Sequence, residues 1–159
     1  MRQLSSFASV MLSPAPQAED LRAELADAGI AAAVGESEAS VLWGKLAVLA
    51  PIALTTTLRG SELGGVLADR AWRRRLEACV REVAAAAREE GVVLDPEAMI
   101  AQIESAPPGI RSSMQEDREA GRPTEIEAIG GSVLRAVARH RLEAPATQAL
   151  VDGIRAGES

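Results

Sequence analysis

The chain has 159 residues, enough for one domain or for one domain with a fragment of another. Apolar residues make up 47% of it, aromatics only 2%, and Tyr is absent, so any core is built from Ala, Leu, Val and Ile. A net charge of −6 argues against the basic face that nucleic acid needs, and the single cysteine, Cys79, excludes an internal disulfide, so a reducing, cytoplasmic setting is the default.

Taken in chain order, the opening reads strand, helix, strand. Residues 7–12 form an apolar run ended by Ser13-Pro14, which fits a buried strand. Residues 17–28 carry apolar positions at helical spacing and close on Gly29. Residues 30–34 suit a second short strand. From Ser37, a plausible N-cap, a helix is predicted to run to about Leu58 and stop at Gly60, with a kink or break at Pro51. Residues 61–67 read as a short turn weakened by Gly64-Gly65. Asp69 caps a long helix ending at Gly91, whose apolar stripe includes Trp72, Leu76, Cys79, Val80 and Val83. Asp95-Pro96 opens the next helix and Pro107-Pro108-Gly109 closes it. Ser112 opens a short helix, Pro123 or Thr124 another that reaches His140, and Pro145 the last. No apolar run is expected to reach the roughly 20 residues of a membrane span, and no signal peptide is read. Cys79 is expected in the core and His140 at a solvated helix end.

Three features invite chemistry. Lys45 is the only lysine of a chain that also lacks Asn. Set among Leu42, Trp43, Leu46 and Val48, it either extends its ammonium to water or poises it as an acid and oxyanion partner. Residues 112–117 and 122–127 each read as a capped helix start with early carboxylates, which the helix dipole favours.

Together these segments resemble the ketopantoate reductase family. SSMQEDREAGRPTEIEAIGG, residues 112–131, is similar to the family's Ser-Ser-Met, Gln-Asp and Gly-Arg-x-Thr-Glu-Ile-Asp signature. Trp43 and Lys45 match its Trp-x-Lys, and Pro145 fits before the final helix. The resemblance implies a mostly α fold: a compact helical bundle of the family's C-terminal type over residues 37–159, with residues 1–36 as a small βαβ remnant of a nucleotide-binding domain. It also implies NADPH-dependent reduction of 2-dehydropantoate to pantoate, with Lys45 as general acid and Ser113, Glu125 and the adjacent Ser112 binding substrate. The alternative is a non-catalytic helical interaction or dimerisation module derived from that domain.

The departures bear on both readings. The family carries Asn four and eight residues after its Lys and three before its Ser; here those positions are Leu49, Ala53 and Ile110. Affinity for a small polar acid should fall, and the acceptor pocket is expected to be different, more apolar or unused. No Gly-x-Gly-x-x-Gly occurs, so no cofactor-binding residues are expected here. In the full-length family NADP(H) sits on an N-terminal domain; this chain alone is expected not to hold it and to be inactive. The partners expected are a small keto acid and either a separate nucleotide-binding domain or a second copy, with no nucleic acid and no membrane. One His and one Cys predict no metal site.

Overall fold

A computed structural model describes residues 9–157 and resolves the chain into two compact units, Met1–Gly44 and Lys45–Ser159. In the first, strands β1 (Ser9–Leu12) and β2 (Ala31–Val34) pair in parallel, joined through helix α1 (Ala18–Asp27). Phe7 and Ala8, assigned to the first strand by sequence, lie outside the described residues. Ala18 is the one buried side chain among the described residues of this unit, so little apolar surface backs its elements.

Helix α2 (Glu38–Arg59) begins with Ser37 and Ser40 exchanging backbone-to-hydroxyl hydrogen bonds, both 3.0 Å. It stops at Gly60, whose φ of +69° suits a residue without Cβ. The break expected at Pro51 does not occur: the helix runs on through it. Every residue from Ala50 to Thr57 is buried, and that packing outweighs the one backbone bond proline removes. The three threonines at 55–57 are tolerated there because Thr55 and Thr56 return their hydroxyls to the carbonyls of Pro51 (2.6 Å) and Ile52 (2.8 Å). At 22 residues this helix is long and apolar enough by composition to cross a membrane, contrary to the sequence expectation. Half of its apolar window is buried within the protein, and core packing accounts for that half.

The expected turn at 61–67 is instead a short helix, α3 (Leu63–Ala68). Leu63 and Val66 are fully buried, and the orphan N–H groups of Leu63 and Gly64 donate to the carbonyls of Ile110 (2.9 Å) and Pro108 (2.7 Å). A Cβ on Gly64 would lie 2.8 Å from Pro108 Cβ, so glycine permits the approach that completes this helix.

Helix α4 (Arg70–Glu89) is central: it packs against α3, α5 (Pro96–Glu104), α7 (Ile126–His140) and α8 (Pro145–Ala156). Asp69 caps it, accepting from Ala71 and Trp72, and Asp95 caps α5 in the same way. Ile52, Leu63, Val66, Leu76, Val80, Ile100 and Ile103 form one core cluster, with Val48, Trp72 and Ile110 packed against it. Gly130 lets α7 close on its neighbours, since a Cβ there would stand 2.5 Å from Val151 Cγ2 and 3.1 Å from Leu54 Cδ2.

Candidate functional site

The α2 segment from Lys45 onward presents one side built by helical repeat. Leu49, Ile52 and Thr56 follow Lys45 at four, seven and eleven residues, all within about 40° of its direction. Exposure falls along this row: Lys45 is exposed, Leu49 is 36% exposed, Ile52 9% and Thr56 0%.

At the buried end of that row α2 meets the short helix α6 (Ser113–Glu119). Ser112 is its N-cap and accepts from the Gln115 N–H at 3.1 Å. The Ser112 hydroxyl also lies 3.0 Å from Thr56 Oγ1 and 3.3 Å from Thr57 Oγ1. Since Thr56 donates to the Ile52 carbonyl, a consistent ordering has Ser112 donating to Thr56, giving an unbroken chain from the Gln115 amide to α2. Arg118 adds a second tie, donating to the Thr57 carbonyl at 3.0 Å. Gln115 Nε2 donates to Glu119, which also pairs with Arg111; both hold the Glu119 carboxyl below its usual range, the Gln115 bond foremost. The other amide atom, Gln115 Oε1, is buried without a partner.

The predicted site residues separate by environment. Ser112, expected to contact substrate, has its hydroxyl engaged inside the fold and is only 8% exposed. Ser113, the next residue, is exposed at the start of α6. Glu125 is exposed and stands immediately before α7, which starts at Ile126 rather than at Pro123 or Thr124; its side chain makes no cap bond. Among the described residues no side-chain hydrogen bond or ion pair engages Lys45, Ser113 or Glu125. The structure thus joins the α6 start to the Lys45 side of α2, with about 16 Å of helix axis between Lys45 and Thr56. Thr56, Thr57 and Arg118 are the residues that sequence reasoning missed. Three consecutive polar residues closing an apolar helix were the available signal.

Cys79 is fully buried, and burial pushes its thiol pKa up to about 12. His140 is half-buried rather than solvated: its Nε2 lies 2.8 Å from the Glu90 carboxylate, which also accepts from Arg139. The guanidinium groups of Arg75 and Arg59 lie over the Trp72 ring, 4.6 and 5.6 Å from its centroid.

The family model described as ketopantoate reductase PanE/ApbA, C terminal, matches residues 39–158. This chain belongs to the ketopantoate reductase family, in its C-terminal domain. It is 31% identical over 139 residues to the 2-dehydropantoate 2-reductase of Caulobacter vibrioides, covering 86% of this chain and 47% of that protein. Among solved structures it is similar to a dimeric ketopantoate reductase from Staphylococcus aureus, with a TM-score of 0.79, 20% identity, and coverage of 95% of this chain and 54% of the other. It is also similar to a D-mandelate dehydrogenase held with NADH and anilino(oxo)acetate, at TM-score 0.76 and 24% identity, over 94% of this chain and 85% of the other. At those identities the structural likeness is one of fold. The chain spans less than half the length of the curated relatives it matches, 47% and 35% of them.

The turn from β1 into α1 runs Ser13-Pro14-Ala15-Pro16-Gln17, with no glycine to admit a phosphate to the backbone. The cavity there, of about 560 Å³, is lined by Leu12, Leu21 and the carboxylates of Asp20 and Glu24, which repel phosphate.

Proposed function

We propose that this chain is the substrate-side domain of an oxidoreductase that reduces a 2-oxo acid, 2-dehydropantoate to pantoate in the family's naming reaction, with NADP(H) as the family's hydride donor. Residues 37–159 are the substrate domain and residues 1–36 the end of a nucleotide-binding domain, in a cytoplasmic protein. The observation that carries the reading is the hydroxyl bond between Ser112 and Thr56, which anchors the exposed Ser113 to the helix that bears the exposed Lys45.

As the carbonyl carbon accepts hydride, negative charge grows on its oxygen. The Lys45 ammonium stabilises that charge and donates the proton, and its exposure lets the resulting amine reprotonate from water. Ser113 donates to the substrate carboxylate and Glu125 accepts from a hydroxyl. Ser112 belongs to the same site by holding the start of α6 in register.

The test is NADPH oxidation with 2-dehydropantoate, by the chain alone and with a separately supplied family nucleotide-binding domain. Activity is expected only in the mixture. Lys45→Ala should then lower turnover by about two to three orders of magnitude, the usual loss of one oxyanion partner. Unchanged turnover would return Lys45 to the role of a surface residue. A second reading, a non-catalytic dimerisation module, draws on the exposed apolar side chains of Leu49 and Val93, the latter 81% exposed. Sedimentation of the chain as a dimer, with no activity in the mixture, would favour it.

A further inference from the structure

We propose that Arg118 is a positioning residue that aims the Ser113 hydroxyl at the substrate carboxylate. The inference rests on the reading of Ser113 as the donor to that carboxylate.

Helix α6 has seven residues, too few to hold its shape or its place by its own backbone bonds, so its contacts must fix it. The Ser112 hydroxyl pins its start to Thr56, and one pin leaves a short rod free to turn about that point. Arg118, in the last turn, supplies a second. Its direction is about 140° around α6 from Ser113, between those of the buried Met114 and Gln115. Its Nη1 donates to the Thr57 carbonyl at 3.0 Å, across 61 residues of chain. That carbonyl is among the last four of α2, which the helix leaves without intrahelical partners and where a cation is favoured. A Cβ on Gly157 would collide with Arg118 Nη2, so the same guanidinium lies against the C-cap of α8. One side chain thus holds α6 against the ends of two longer helices and fixes its roll. With the roll fixed, the exposed Ser113 keeps one direction; without it, α6 turns about Ser112 and the Ser113 hydroxyl swings away from the carboxylate. Arg118 acts on the substrate only through Ser113.

Because Lys45 is the sole lysine, a chain grown on 13C-lysine gives one side-chain Cε signal, and its shift on titration with 2-dehydropantoate gives the dissociation constant. Ser113→Ala and Arg118→Met should each weaken binding roughly tenfold, and the double variant should be no weaker than either. Arg118→Lys keeps a donor for the Thr57 carbonyl and should recover most of the loss. Gly157→Ala, at the exposed end of α8, leaves every group of α6 in place but displaces the guanidinium, and it keeps the test open should Arg118→Met not fold. It should weaken binding severalfold, and only while Ser113 is present. Unaltered affinity in Arg118→Met, or in Gly157→Ala where Arg118→Met does not fold, overturns the proposal. So do losses that multiply to about a hundredfold in the double variant, which would make Arg118 and Ser113 independent. Each of these results leaves Ser113 as the carboxylate donor. A Ser113→Ala chain that binds as tightly as the unaltered one, or no shift of the Lys45 signal at all, overturns the underlying reading and the proposal with it.

Discussion

The two units carry equally clear local signals and very different burial. In the first, β1, α1 and β2 form where short apolar runs, helical spacing and Gly29 ask for them, yet among its described residues only Ala18 is buried. β2 is Ala31, Ala32, Ala33 and Val34, which have little hydrocarbon to remove from water. In the second, caps at Asp69, Asp95 and Ser112 are backed by Leu54, Leu63, Leu76, Ile103 and Leu150, all nearly or fully inaccessible. Local propensity is enough to draw an element; burial is what makes it resist opening.

Amide exchange is the sharpest way to break this comparison. The helix amides of α4 should exchange roughly a thousandfold or more slowly than those of α1 and β2, near the limit set by global unfolding. Equal protection would mean that the first unit is stabilised by something other than its own core. Truncation gives the same contrast in free energy. Leu76→Ala empties a fully buried site and should cost about 2–5 kcal/mol in chemical denaturation, whereas Leu21→Ala, at a position 45% exposed, should stay within about 0.5 kcal/mol. Similar losses at both would erase the distinction.

Helix starts sharpen it further. Neither α1 nor α8 has a side-chain bond from its own N-cap residue. The α8 start is instead satisfied by Glu82 of α4, which accepts from the N–H groups of Ala146 (2.9 Å) and Thr147 (2.7 Å) and from the Thr147 hydroxyl (2.6 Å). Glu82→Ala strands a fully buried threonine and should cost about 1–3 kcal/mol, measured by denaturant titration. A change near zero would show that water replaces the carboxylate.

The smallest effect expected is the pH dependence of the α4 start. Asp69 is held below its ordinary value of 3.8, first by its bond to Arg59 and then by the N–H groups of Ala71 and Trp72. Its native form binds a proton less readily than the unfolded chain, so its contribution is complete above 3.8 and disappears as pH falls through the lowered native value. Asp69→Asn should flatten the acid limb of stability below about pH 4 and leave its slope near neutrality unchanged. An identical acid limb in the variant would assign that slope to other carboxylates.

Much of the second unit was legible because its punctuation is local. Ser37, Asp69, Asp95 and Ser112 cap the helices they precede, Gly60, Gly91 and Gly121 follow helix ends with positive φ, and Cys79 lies in the core stripe assigned to it. Each depends on residues within one turn of chain, so the sequence by itself determined them. The family and its helical fold were legible for a different reason: the run from Ser112 to Gly131 combines two helix starts with particular side chains at fixed spacing. Only the tertiary structure decided that α2 continues unbroken through Pro51, that α3 is a helix completed by the carbonyls of Pro108 and Ile110, and that α8 borrows its cap from Glu82. It also decided that Ser112 bonds to Thr56 while Ser113 stays open. These contacts join residues up to 65 positions apart. They form once packing has excluded water from the polar groups involved, so no local pattern of residues announces them.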